Sequence, residues 1–427
     1  MPTSFLLAFR QLVRGRVLLL LLSGIGLVHA LLPRFVRSDG TAAGALEMYV
    51  RAVPGVALVI VLLTLLAVAA GFFAQEREEK RLALTLVRPV SAYAVAGGKY
   101  LALVAVAALA LAFSAGLVGL FAPASLPPCR HHYAPSLPPA EVVASHLLAD
   151  YLADPKTPEA VKKASKSAVL TLLTTKETDR YEVVKPGADM IWPFEIAALK
   201  AKMAGGEELK LRVRFSTQFE MRAPVAGRFT LGDYAAVVSN NTQAVLDIPL
   251  AKGAGEGASN EKELLLHFAN TGASAVMVRP RRDLEVLAPA DSFAANLLRA
   301  EIEGLALAAL LAAYGLFLSA ALSRPVAIFT ALVTFVIVLM VPSVIAQFPD
   351  EFNAPLADRL GLMLSRGVQF VTASISTPAP ISDLATGKAI EWAALGRTVV
   401  LNIVVWPSAL LALSAFIARR KPLADVD

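Results

Sequence analysis

Residues 53–73 read VPGVALVIVLLTLLAVAAGFF, without a single charge, and the chain then turns at once to AQEREEKR at 74–81. A helix needs roughly 20 consecutive apolar residues to cross the hydrocarbon core of a bilayer. No water is available there, so a spanning segment has to satisfy its own amides. The stretch therefore predicts a transmembrane helix that meets water abruptly at Glu76.

Five further runs have the same character: 17–33, 100–121, 304–322, 326–347 and 398–418. Of the 427 residues, 56% are hydrophobic and 17% charged, against about 45–50% and about 25% in ordinary soluble domains. The net charge of +6 would suit nucleic acid, but the positions of the cations exclude that reading. They gather beside the apolar runs, as the positive-inside rule requires. Arg10, Arg14 and Arg16 precede the first run; Arg77, Lys80, Arg81, Arg88 and Lys99 separate the second from the third; Arg324 separates the fourth from the fifth; Arg419, Arg420 and Lys421 follow the sixth. Six spans put all four groups on one side, the cytoplasm, together with both termini. A basic start followed by Val28-His29-Ala30 has the form of a cleavable signal peptide. Removing the first run would leave five spans and break the charge pattern, so it reads as retained. Before it, Phe5, Leu6, Phe9, Leu12 and Val13 share one helical face and Arg10 and Arg14 another, the pattern of an interfacial helix.

Residues 123–293 carry no such run and form a soluble insertion on the far side of the membrane. Its first part, 123–139, is proline-rich and reads as an extended linker. Residues 141–152 and 158–173 have helical spacing. From Tyr181 onward the pattern changes to short strands, with 209–215 alternating apolar and charged side chains and further candidates at 227–231, 244–250, 263–268, 275–278 and 284–287. Several short strands separated by turns predict a β-sandwich. The fold class is thus an all-α polytopic membrane domain of six transmembrane helices with an inserted extracytoplasmic α+β domain, mainly β-sandwich. Residues 1–122 hold the interfacial helix, the first three spans and a cytoplasmic loop at 74–99. Residues 294–427 hold the last three spans and an outer loop at 348–396, where Leu356, Leu360, Leu364 and Val368 recur at helical spacing.

No nucleophile, base and orienting acid assemble from the sequence, so no catalytic, cofactor-binding or metal residue is assigned. Gly253, Gly255 and Gly257 lack the lysine and hydroxyl of a phosphate loop. Cys129, His131 and His132 are metal-capable types, but neighbouring histidines need further ligands to close on one ion. The single cysteine makes no intrachain disulfide. Asn240-Asn241-Thr242 matches a glycosylation acceptor only in form. Glu301 and Glu303 fall near the outer interface by helical rise, where a carboxylate stays hydrated, and Trp392 and Arg397 read as interface anchors.

The 74–99 loop is the informative segment. It holds a charged patch, a short amphipathic stretch, a proline stop and the Gly97-Gly98-Lys99 opening of the next span. It resembles the corresponding loop of ABC-2 type ABC transporter permeases, where an acidic start leads through a leucine-rich stretch to Arg-Pro-Val-Ser and then Gly-Lys. Glu76, Glu78, Leu82, Leu84, Arg88, Pro89, Val90, Ser91, Gly98 and Lys99 match that pattern, while Lys80-Arg81 replaces the family's usual Gly-Thr. Ser323-Arg324-Pro325-Val326-Ala327 is similar to the family's tight turn between spans four and five. The resemblance covers both membrane halves and not the insertion. It implies a permease subunit of an ATP-driven exporter in a bacterial cytoplasmic (inner) membrane. It further implies a coupling loop that docks on an ABC ATP-binding subunit, ATP and Mg held by that ATPase and not by this chain, and a second permease copy or paralogous permease as partner. The rival reading is a membrane-anchored sensor or assembly factor whose outer domain binds a ligand or protein. A third is an ATP-dependent complex that does mechanical or assembly work.

Overall fold

The structure is a computed structural model that describes residues 2–35, 42–79, 91–121, 129–162, 166–195, 197, 199, 203, 208–215, 225–240, 245–252, 263–347 and 380–420. The chain forms two compact units. One is helical and contains both ends of the sequence; the other is built mainly from the inserted segment 130–290.

The helical unit begins with α1 (Pro2–Arg14), α2 (Val17–Phe35), α3 (Ala42–Glu78) and α4 (Ala92–Phe121). The corner between α1 and α2 is made by Gly15-Arg16, with Arg16 in the left-handed region at φ 59°. Ala8 and Leu12 on α1 are buried in the helical core, and Phe5 stacks on Phe9 with ring centroids 5.8 Å apart. Arg10 and Arg14 are exposed.

In the inserted unit, α5 (Ala140–Ala153) and α6 (Lys166–Thr178) bury a small core of their own around Ala144, Val161, Val169, Leu172 and Leu173. Ten strands follow or flank them: β1 (Arg130–Tyr133), β2 (Glu182–Val184), β3 (Asp189–Glu195), β4 (Leu209–Arg214), β5 (Val225–Leu231), β6 (Tyr234–Asn240), β7 (Val245–Lys252), β8 (Glu263–Asn270), β9 (Val276–Val278) and β10 (Leu284–Pro289). Eight of them make one antiparallel sheet in the order β1-β10-β4-β7-β6-β5-β8-β3, and β2 pairs with β9. The link between β6 and β7 is only two residue pairs long, Tyr234↔Lys252 and Ala235↔Ala251. The sheet curls there, so that Leu209, Leu211, Val213 and Val286 from one half share a core with Trp192, Phe229, Leu266 and Phe268 from the other.

The expected sandwich of two sheets is therefore a single sheet curled on itself. The proline-rich stretch expected as a linker contains β1. Pro193 lies within β3 because β3 is the sheet's edge, where a missing amide costs no ladder bond. Gly227 is required by the aromatic core. A Cβ there would fall 2.2 Å from the Phe268 ring, which stacks on Phe229 at 4.5 Å.

The chain returns to the helical unit with α7 (Phe293–Ala321), α8 (Arg324–Gln347), α9 (Pro380–Ala385) and α10 (Trp392–Arg420), whose residues Val400–Val405 wind as a π-helix. Ser292 caps α7, its hydroxyl accepting from the Ala295 amide. Among the described residues, five helices are long and apolar enough to cross a membrane: Val17–Phe35, Met48–Glu78, Ala92–Phe121, Phe293–Ala321 and Trp392–Arg420. They fit a multi-pass membrane protein. The sixth expected span, 326–347, falls on α8, whose described side chains give the apolar stretch Arg324–Met340. The expected outer helix around Leu356, Leu360, Leu364 and Val368 lies outside the described residues.

Helix α7 is the most buried of the five, and its closest neighbour is α3. A Cβ on Gly315 would stand 2.7 Å from the Ala69 Cβ and 3.0 Å from both the Ala70 amide nitrogen and the Leu66 carbonyl. Small residues let helices meet in lipid, where close packing replaces the hydrophobic drive. Gly315→Val should separate the two helices and lower the melting temperature in detergent, since overpacking costs about 1–3 kcal/mol. Gly116→Val is the control, because a Cβ at Gly116 meets nothing within 4 Å. Equal melting of the two variants would refute the close approach as a structural requirement.

Candidate functional site

The charged loop leaves the last turn of α3 and returns at the first turn of α4. Leu82, Leu84, Arg88 and Pro89 lie outside the described residues, but both flanks of the loop are described. On the returning side Ser91 acts as the N-cap of α4: its hydroxyl accepts from the Ala94 amide at 3.1 Å and its carbonyl accepts from Val95. A hydroxyl at this position satisfies one of the amides that a helix start leaves unpaired.

Glu76 and Lys99 are brought together as an ion pair between α3 and α4. The Lys99 side chain is only 5% exposed and that of Glu76 17%. Phe72 and Phe73 stand one helical turn before Glu76, on the same face. The Lys99 ammonium sits over both rings, 4.0 Å from the centroid of Phe73 and 4.8 Å from that of Phe72. The aromatic faces and the carboxylate together replace the water that the ammonium has lost. Gly98, next to Lys99, has a different task. A Cβ there would lie 2.6 Å from Ser4 Cβ and 2.8 Å from the Phe5 amide nitrogen, so its bare backbone admits α1 against α4.

Arg77 ties the same end of α3 to α7. Its guanidinium donates to the carbonyls of Ala320 at 3.0 Å, Ser319 at 3.3 Å and Leu322. These belong to the last turn of α7, where carbonyls lack helical partners and a cation opposes the negative end of the helix dipole. The Ser319 hydroxyl accepts from the amides of Phe73 at 2.8 Å and Ala74 at 3.0 Å. The tight turn into α8 follows, with the Ala327 amide bonded to the Ser323 carbonyl at 2.8 Å.

Of the sequence-selected residues, Glu76, Gly98 and Lys99 are thus internal to the loop's base, whereas Glu78 is exposed. Glu76, matched to the acidic start of the loop, pairs with Lys99. Sequence reasoning gave Arg77 only a topological role and missed Ser319 and Gly315. Their available signal was the Gly315-x-x-x-Ser319 spacing of small residues inside an apolar helix.

The other flagged residues fall at the opposite end of the helical unit. Glu303 is buried rather than hydrated, and Glu301 is half-buried. Arg299 pairs with Asp291, donates to the Ile390 carbonyl at 3.2 Å and lies 4.6 Å from the ring of the exposed Trp392. Asn296 bonds Lys388 and Ile390 through both ends of its amide, each at 2.8 Å, and so holds the start of α10 against α7. His29, from the signal-like stretch, is buried with its Nε2 3.2 Å from the Ser114 hydroxyl, joining α2 to α4. Cys129 is fully buried. Burial pushes its thiol up to about 11, against the opposing pull of Asn296 and Arg299, so the thiolate needed for metal binding is disfavoured.

The ion pair makes a sharp prediction. Removing one member of a buried pair strands the other and costs about 3–5 kcal/mol, whereas removing both is far milder. Glu76→Gln and Lys99→Met should each lower the melting temperature of the purified chain in detergent, and the double variant should recover much of the loss. Strictly additive losses would show that the two side chains do not compensate one another.

No family model matches the chain, and neither a curated protein nor a solved structure does.

Proposed function

We propose that the chain is the transmembrane permease subunit of an ATP-driven ABC-2 type exporter, with six spans, both termini in the cytoplasm of a bacterium and the curled β domain outside. The observation that carries the reading is the braced base of the loop between α3 and α4. A loop that only obeyed the positive-inside rule would need no fixed root. Here Glu76–Lys99 fastens its two flanks to each other, and Arg77 and Ser319 fasten the outgoing flank to α7. A push on the loop from the cytosol would therefore reach three helices together, as a coupling element requires. The loop and turn resemblance supports the same reading. ATP and Mg would be held by a separate ATPase, and a second permease copy or a paralogue would complete the pathway. Residues on the loop that remain exposed would carry the docking, Glu78 foremost among those described.

Reversal of the exposed charge tests docking without disturbing the buried pair. The full chain, purified by affinity in mild detergent, should bring down a separate ATP-binding chain. Glu78→Lys should reach the membrane normally and lose most of that partner, because like charges across an interface cost several kcal/mol, on the order of a hundredfold in affinity. Wild-type co-purification and wild-type stimulated ATP hydrolysis in Glu78→Lys, or no ATP-binding partner at all, would overturn the proposal.

Topology is tested separately. In a Cys129→Ser background, a cysteine at exposed Lys185 in the β domain should react with a membrane-impermeant thiol reagent on intact cells, and one at exposed Ser91 should react only after permeabilisation. The reverse pattern would invert the assigned orientation.

A further inference from the structure

Strand register divides the β1-β10-β4-β7 half of the sheet into two faces. Tyr133, Val286, Leu211 and Ile248 are cross-strand neighbours on the core side. On the outward side stand Arg130 and His132 of β1, then Leu287 and Glu285 of β10, Lys210 and Arg212 of β4, and Asp247 of β7. Charged groups on the face away from the core are ordinary, but Leu287 on this face is fully buried, and two of the charged groups beside it are not in an ordinary state.

The Nδ1 of His132 lies 2.8 Å from Glu285 Oε2. A carboxylate can only accept, so Nδ1 carries the proton and Nε2 is left to the site. The His132 side chain is 7% exposed, and its Nε2 is buried with no hydrogen-bond partner among the described residues. The Nη1 of Arg130 is also buried without a partner among them. Buried polar atoms are nearly always bonded, and an orphan calls for an explanation. Arg130 and His132 are two residues apart on one strand, about 6.6 Å at the usual rise, and their side chains leave the same face.

The surroundings decide the sign of a ligand. Arg212 forks onto Asp247 with contacts of 2.7 and 2.8 Å. Burial opposes ionisation of Asp247, but Arg212, with Lys210 and Arg130 near it, prevails and holds the carboxyl below the usual range. Glu285 is bonded to His132. Both acids thus already accept from donors of this face, and Arg130 repels a metal ion that His132 would otherwise suit. An anion is favoured: an oxygen with negative charge suits Nη1 of Arg130, and Nε2 of His132 donates to such an oxygen or accepts from an acidic O–H according to the ring's protonation. Hydrogen phosphate can meet Nε2 in either role, as can a phosphate monoester that keeps its second proton; sulfate at neutral pH, with no O–H, can only accept.

We propose that the outward face of β1 binds a compact phosphate group, free or as the headgroup of an ester, between Nη1 of Arg130 and Nε2 of His132. The site is independent of the exporter reading, since it needs only the inserted unit's own residues. It gives the outer domain a ligand chemistry of its own.

The test uses the full chain in phosphate-free detergent solution at constant ionic strength. Inorganic phosphate should raise the melting temperature saturably, and equilibrium dialysis with labelled phosphate should find one ion per chain. Sulfate should act much more weakly. Arg130→Gln and His132→Asn should melt like the wild type without phosphate and lose at least tenfold in apparent affinity. Should either variant fail to fold, Arg130→Lys, which keeps the charge and loses the fork, should still show weakened binding by dialysis. A response to water-soluble short-chain phosphatidic acid but not to inorganic phosphate would assign the source to a lipid headgroup and uphold the site. No response to either, an equal response to sulfate, or tighter binding of zinc ions abolished by His132→Asn would overturn the proposal.

Discussion

Helix α7 comes near enough to α3 for the Ser319 hydroxyl to reach the Phe73 and Ala74 amides because residue 315, one turn earlier, has no side chain. The rest of the helical unit depends on that approach. It brings the carbonyl end of α7 within reach of Arg77, which otherwise would sit at the membrane surface as one more positive-inside charge. Arg77 in turn fixes the last turn of α3, and so the position of Glu76 relative to Lys99 on α4. Backbone contact, helix-end capping and a buried ion pair form one chain of cause. Each member satisfies a group that the previous contact has removed from water.

The ion pair changes how the loop's charges are to be read. Three of the sequence's cations near this loop, Arg77, Lys99 and Arg324, fit the topology rule equally well, and composition alone gives them one role. The structure separates them. Lys99 is buried over two phenylalanine rings, Arg77 caps a neighbouring helix, and the Arg324 guanidinium lies close to Gly71, 3.7 Å from where a Cβ would be. A surface pair would contribute little; a buried one is weak evidence for stability but fixes register, because any slip strands a charge. The acid–base pattern that resembles a docking surface is therefore partly the loop's own foundation, and the proposed docking would rest on the groups that remain exposed.

Five of the six expected runs were legible as long apolar helices, because a bilayer asks for a length and a composition that few other constraints imitate. Their ends were less so. Residues 92–99 are helical although the expected span began only at 100, since the packing of α1 stabilises a backbone that glycine alone would loosen. Among the strands, 209–214 and 263–270 alternate cleanly and were readable, whereas β1 hides among prolines and β3 contains one. Sheet order was not legible at all. It depends on pairings such as β5 with β8 and β10 with β4, which no local pattern encodes. In the candidate site, Glu76, Gly98 and Lys99 were readable as types but not as partners, because Glu76 and Lys99 meet only after two helices have been placed.

The topology of the insertion explains how a domain of this size can interrupt a helical chain. Its first and last strands are antiparallel neighbours, with Arg130 opposite Pro289. Just beyond them the Cys129 amide donates to the Asp291 carbonyl at 3.1 Å. The two ends of the insertion therefore leave it side by side, and from the helical unit it behaves like a loop whose ends are already joined. Strand β1 closes that junction and also carries Arg130 and His132. Had the proline-rich stretch been the extended linker that its composition suggests, neither the closure nor the unpartnered pair on its outward face would exist. The four residues from Arg130 to Tyr133 tie the inserted domain's architecture to the one place on it where, among the described residues, buried side-chain polar atoms have no hydrogen-bond partner.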